Sequence, residues 1–167
     1  MDIYEFAKQM EKDGEIYYRE LANSSRLAGL KKIFTILADD EVKHYRIIEQ
    51  LRLKSGLPQM ADTQALENVK NIFIEMKGVE IGPRIDTTRE TNAYRKAREL
   101  EKMSRDFYLA KAAEVEGKEA KLLLKKLAAE EERHFRIMEN IVEFVSRPEP
   151  GNWLEDAEWH HLDEEAY

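Results

Sequence analysis

The chain has 167 residues, no cysteine and a formal net charge of −7. That length suits one domain that buries its own core, and the lack of cysteine excludes disulfide frameworks, thiolate nucleophiles and cysteine-ligated zinc or iron–sulfur centres. The acidic balance argues against nucleic acid as the main partner, and no apolar run nears the roughly 20 residues of a membrane span.

The opening MDIYEFAKQMEKDG is acidic and amphipathic and lacks the basic and apolar regions of a secretory leader, which predicts a cytoplasmic protein. It also begins the first predicted helix, over about 2–26, with Asp2 as N-cap and Glu5 three residues on. The inward stripe of this helix is Ile3, Ala7, Met10, Gly14, Tyr17, Tyr18 and Leu21. A second helix over about 28–54 carries Leu30, Ile33, Phe34, Leu37, Ile48 and Leu51, and Ser55-Gly56-Leu57-Pro58 stops it. A shorter helix follows over about 63–76 with Leu66, Val69, Ile72 and Phe73, before Gly78, Gly82 and Pro83 break the chain. Two further long helices are predicted over about 87–116 and 118–145. The run Arg147-Pro148-Glu149-Pro150-Gly151 then ends all helix.

Residues 1–146 are therefore expected to form one domain, and 147–167 an acidic tail. Trp153, Leu154, Trp159 and Leu162 of that tail are expected to dock on the domain or on a partner subunit, because freely exposed tryptophans are unusual. His160 and His161 stand outside any Glu–His frame and are not assigned as ligands.

Few segments favour strands, and apolar residues recur at three and four, so the fold class is all-α. Four helices of about 25 residues would each span roughly 37 Å. Tight joins make the first two an antiparallel hairpin, and likewise the last two. The long middle connection, with its short helix, can run from one end of the bundle to the other. One such crossover is the connectivity of a ferritin-like four-helix bundle.

The sequence partly overlays itself when shifted by 90 residues. Ala7, Glu11, Lys12, Tyr18 and Ala22 meet Ala97, Glu101, Lys102, Tyr108 and Ala112. Leu37, Ala38, Glu41, His44, Arg46, Ile47 and Glu49 meet Leu127, Ala128, Glu131, His134, Arg136, Ile137 and Glu139. Solvated residues have no reason to keep such spacing, whereas a two-fold site between hairpins does.

The polar members of the repeat fall on core-facing positions. Leu37, Glu41, His44, Ile48 and Leu51 follow a four-three seam, as do Leu127, Glu131, His134, Met138 and Ile141. Tyr18 and Tyr108 lie two turns from Glu11 and Glu101 on the same faces. Four buried carboxylates cannot stay close, ionised and unpaired without a cost of several kcal/mol each. Two divalent cations would balance Glu11, Glu41, Glu101 and Glu131, with one neutral nitrogen each from His44 and His134. Oxygen-rich ligands with one imidazole per metal suit iron or manganese; zinc, which favours fewer tetrahedral ligands, remains a possible occupant.

These motifs, in the contexts LADDEVKHYRIIEQL and LAAEEERHFRIMENI, resemble the rubrerythrin-like branch of the ferritin-like di-iron carboxylate proteins over about residues 2–146. The resemblance implies two iron ions, with Glu41 and Glu131 bridging or chelating between them. Glu11 and Glu101 would be terminal carboxylates, His44 and His134 terminal nitrogens, and Tyr18 and Tyr108 hydrogen-bond donors behind the ligands. It also implies an oxidoreductase that reduces peroxide or dioxygen in oxidative stress. The expected assembly is a homodimer, with the linker over 78–86 as the place where helices would exchange between subunits. Two features depart from the family pattern. This cysteine-free sequence carries no rubredoxin-type segment, so electrons would come from an external donor such as a rubredoxin-like protein. Rubrerythrins also often place an extra Glu one turn after the ligand of the third long helix, where Ser104 stands here and Gly14 is its repeat partner. The resulting ligand set is more symmetric, as in bacterioferritin ferroxidase centres.

Other readings of the same residues stay open at the level of sequence. The Glu–His turns would also suit a metal-free helical interaction module, in which each is a buried ion pair. Tyr18 and Tyr108 would equally serve as core aromatics. Gly14 would leave room for a small ligand or let helices approach closely. A ferroxidase or iron-binding protein without reductive turnover, and an oxygenase acting on an organic substrate, also fit the pattern.

Overall fold

The computed structural model describes residues 3–53, 65–76 and 88–146. Among the described residues, five helices run in order: α1 (Ile3–Ser24), α2 (Ala28–Leu53), α3 (Ala65–Met76), α4 (Thr88–Glu114) and α5 (Lys118–Ser146). No strand occurs among the described residues. The all-α architecture predicted from periodicity is observed, with helix ends within about two residues of expectation. Asp2, the Ser55–Pro58 stop, the 78–86 linker and the 147–167 tail lie outside the described residues.

Local chemistry sets the joins. The α1–α2 turn spans Ser25 to Leu27, and the Leu27 carbonyl accepts from the Lys31 amide at 3.0 Å to start α2. Gly117 plays the same part for α5, accepting from Lys121 at 2.9 Å. Both turns are too short for anything but antiparallel neighbours. Accordingly α1 packs along α2 and α4 along α5, whereas the two hairpins touch each other far less extensively. Cross-helix ion pairs fix the α1–α2 register, among them Glu5 with Arg52, Lys8 with Glu49, and Arg19 with Asp39 at 2.9 Å. The short α3 lays Val69 and Ile72 against α2 and α5.

The core is divided in two. One cluster, built on Tyr18, Phe34, Leu37, Ala97, Met138 and Ile141, fills the end of the bundle where α3 packs. The second, built on Ala7, Ile48, Tyr108, Leu124 and Leu127, fills the other end. Between them, on every long helix, lies one turn or more of acid and imidazole: Glu11 on α1, Glu41 and His44 on α2, Glu101 on α4, Glu131 and His134 on α5. Each buried leucine or isoleucine on either side contributes about 1.5–3 kcal/mol. That burial is what holds the charged layer away from water.

Candidate metal centre

All six polar residues singled out in the sequence converge in this layer. None is more than 4 % exposed. The helix period explains why: Glu41 and His44, and Glu131 and His134, are three apart and share a face, while Glu11 and Glu101 project from the opposing helices.

The geometry follows the internal two-fold. The His44 Nδ1 lies 3.3 Å from Glu131 Oε1 and 3.5 Å from Glu11 Oε2. The His134 Nδ1 lies 3.3 Å from Glu41 Oε1, 3.4 Å from Glu101 Oε1 and 3.7 Å from Glu131 Oε2. Each imidazole therefore faces the upstream Glu of its own hairpin and the Glu-x-x-His carboxylate of the other. The rings themselves stack at a centroid distance of 5.6 Å. Behind the carboxylates, the Tyr18 hydroxyl donates to Glu101 and the Tyr108 hydroxyl donates to Glu11, each across the gap between hairpins.

Two overlapping sets of ligand atoms result. Glu11, Glu41, His44 and Glu131 form one; Glu41, Glu101, Glu131 and His134 form the other, with the atoms of each set within 4.8 Å of one another. Glu41 and Glu131 are common to both. Several of these atoms are buried with no hydrogen-bond partner: Glu11 Oε2, Glu41 Oε1, both Glu131 oxygens and the Nδ1 atoms of both histidines. Buried polar atoms are normally satisfied, and six unpartnered polar atoms gathered in one layer are what a cation pair would satisfy. The donor set, four carboxylates and two imidazoles, suits iron or manganese.

A family model for rubrerythrin matches residues 2–142. The chain belongs to the rubrerythrin family. Comparison with curated proteins gives no match, and neither does comparison with solved structures.

In this rubrerythrin-family bundle the protein groups by themselves divide their protons unevenly. Burial pushes Glu41 and Glu131 well above the usual carboxylate range, and the facing carboxylates push them further. Burial also acts upward on Glu11, but the close Glu41 and His44 outweigh it and bring Glu11 down to about 2. Glu101 is likewise lowered against burial, by His134 and its neighbours Glu131 and Tyr18. Burial works against the charged form of His134, yet Glu101 and Asp40 raise it well above its ordinary value. Both tyrosines are raised well above theirs, by burial and then by the carboxylates they face, so their hydroxyls remain donors. The shared residues thus keep protons that incoming cations would displace, while the unshared carboxylates are ionised.

Sequence reasoning missed Asp40. Its Oδ2 lies 3.0 Å from His134 Nε2, both groups being buried, so Asp40 holds the ring that faces Glu41 and Glu101. Carboxylates commonly fix the orientation of metal-binding imidazoles in this way. The signal was present: the residue before each Glu-x-x-His is acidic in both halves, Asp40 and Glu130. Buried Glu132 was missed as well; it is anchored by Arg105 at 2.5 Å and Arg136 at 3.1 Å. Gly14 makes room for a carboxylate from the neighbouring helix. A Cβ at that position would stand 3.1 Å from Glu41 Oε2.

Among the described residues, no helix is long and apolar enough to cross a membrane.

Proposed function

We propose that this chain binds two iron ions in the layer between its hairpins and reduces peroxide or dioxygen there with electrons from an external donor such as a rubredoxin-like protein. The observation that carries this reading is the pair of overlapping ligand sets sharing Glu41 and Glu131. Glu11, His44 and the two shared carboxylates would hold one cation; Glu101, His134 and the same shared pair would hold the second. When bound, a ferrous pair supplies two electrons and Lewis acidity toward an O–O bond.

The chain's own groups do the rest. Leu37, Ile48, Leu127 and Met138 exclude water above and below the layer. Tyr18 and Tyr108 hold Glu101 and Glu11 in place by hydrogen bonds from the opposite hairpin. Asp40 orients His134. Glu41 and Glu131 yield their protons as the cations enter.

The test is anaerobic loading with ferrous iron followed by rapid mixing with hydrogen peroxide. Two irons per chain and rapid growth of a diferric absorbance band are expected. Fewer than one iron per chain, or no oxidation on mixing, overturns the reading. A second reading, ferroxidation without reductive turnover, is favoured by Ser104 standing at the extra-Glu position and by the two-fold symmetry of the ligand sets. Repeated peroxide consumption with reduced rubredoxin separates the two: turnover supports the first, a single oxidation the second.

A further inference from the structure

A cavity of about 620 Å³ lies between α1 and α4, and Glu41, Glu101 and Tyr18 form part of its wall. We propose that it is the binding site for a neutral, largely apolar organic co-substrate bearing a hydroxyl, which it presents to the metal centre. The proposal rests on the metal-centre reading above and adds the class of molecule that reaches it.

Size is the first argument. The cavity would take about twenty water molecules at roughly 30 Å³ each and falls in the range of organic-ligand sites, about 300–1,000 Å³. Peroxide and dioxygen, with two heavy atoms each, need none of this space.

The lining is the second argument. Met10 and Tyr17 on α1 face Leu100 and Phe107 on α4. Phe6 and Phe107 close against each other with ring centroids 5.0 Å apart. Two small residues at repeat-equivalent positions, Gly14 and Ser104, also line the space. Apolar side chains also surround the mouth, with Phe6 49 % and Met103 65 % exposed.

Charge is the third argument. Asp106 on the cavity's border is paired with Arg105 at 2.9 Å, bound cations would balance Glu41 and Glu101, and Asp13 and Lys96 offset each other among the described lining residues. An ion would lose its hydration in a largely apolar space that holds no surplus of opposite charge. A neutral molecule would not, and its hydroxyl can donate to a carboxylate oxygen at the inner wall, which has lone pairs to spare. The chemistry selected is therefore that of an alcohol or phenol with an apolar body.

The experiment uses the metal-loaded full chain, with 1-naphthol as probe and 1-naphthoate as its charged counterpart. Naphthol is expected to bind at one per chain, and naphthoate at least about tenfold more weakly. Ser104→Phe, which fills the cavity, and Leu100→Asp, which adds a charge to a partly exposed wall position, are each expected to weaken naphthol binding about tenfold or more. Absence of naphthol binding to the loaded wild type, equal affinity for naphthoate, or full naphthol affinity in both variants overturns the assignment. Metal content measured on the same samples separates the two failures. Absence of naphthol binding to wild-type protein that carries two cations per chain overturns the cavity proposal alone. Naphthol binding in protein that takes up no cation overturns the metal reading and the co-substrate role with it.

Discussion

The Tyr18 hydroxyl on α1 is hydrogen-bonded to the Glu101 carboxylate on α4, so each hairpin holds a candidate ligand of the other. Tyr108 repeats the arrangement on Glu11. Both bonds lie in the buried layer that separates the two apolar clusters, where a carboxylate oxygen that loses its donor is costly.

Tyr18→Phe leaves a buried Glu101 oxygen without its donor. A loss of about 1–3 kcal/mol is expected in urea unfolding of the metal-free protein. Tyr108→Phe is expected to cost a similar amount through Glu11. Wild-type stability in both variants would show that the crossed hydrogen bonds contribute nothing.

The metal-free protein should become less stable as pH rises above about 5. Glu41 and Glu131 are raised above 4.5 and His134 above 6.5, so the folded state holds protons that the unfolded chain has released. That contribution is complete below 4.5 for the acids and below 6.5 for the histidine, and is lost as pH climbs through the raised folded values. Glu11 and Glu101 are lowered, so theirs is present above 4.5 and is lost only as pH falls further. Cations compete with the retained protons, so the stabilisation given by manganous ion should grow over the same pH range. Scanning calorimetry from about pH 6 to 8, with and without manganese, checks both slopes. A metal-free melting temperature that rises with pH contradicts the proton distribution.

Sharing of ligands makes the positions unequal. Glu131→Gln weakens both cation sites at once, whereas Glu11→Gln touches one set. Metal analysis after dialysis should give well under one cation per chain for the first, near one for the second, and an unchanged two for Ser104→Ala. If Glu131→Gln and Ser104→Ala bind alike, Glu131 is not a shared ligand.

Gly14→Ala sets helix propensity against the centre. Alanine favours the helix by up to about 1 kcal/mol, and in metal-free protein the Glu41 carboxylate, the end of a flexible side chain, can yield to the added Cβ. With cations bound that carboxylate is no longer free to move. The gain in melting temperature on adding manganese should therefore shrink in the variant. An undiminished gain would mean that the 3.1 Å approach does not constrain Glu41.

The helices, their two hairpins and the six convergent acids and imidazoles were legible in the sequence, because helical periodicity is a local property. A Glu and a His three apart share a face whatever surrounds them, and the 90-residue repeat marked the corresponding residues in the other half. Pairing between helices is not local. That Tyr18 reaches Glu101 on the opposite hairpin, that Asp40 takes the His134 ring, and that the weakly joined α1 and α4 leave a cavity over Glu41 and Glu101 all depend on packing register and helix separation. Those are decided by how the two apolar clusters fill their space around a charged layer, and only the folded molecule contains that information.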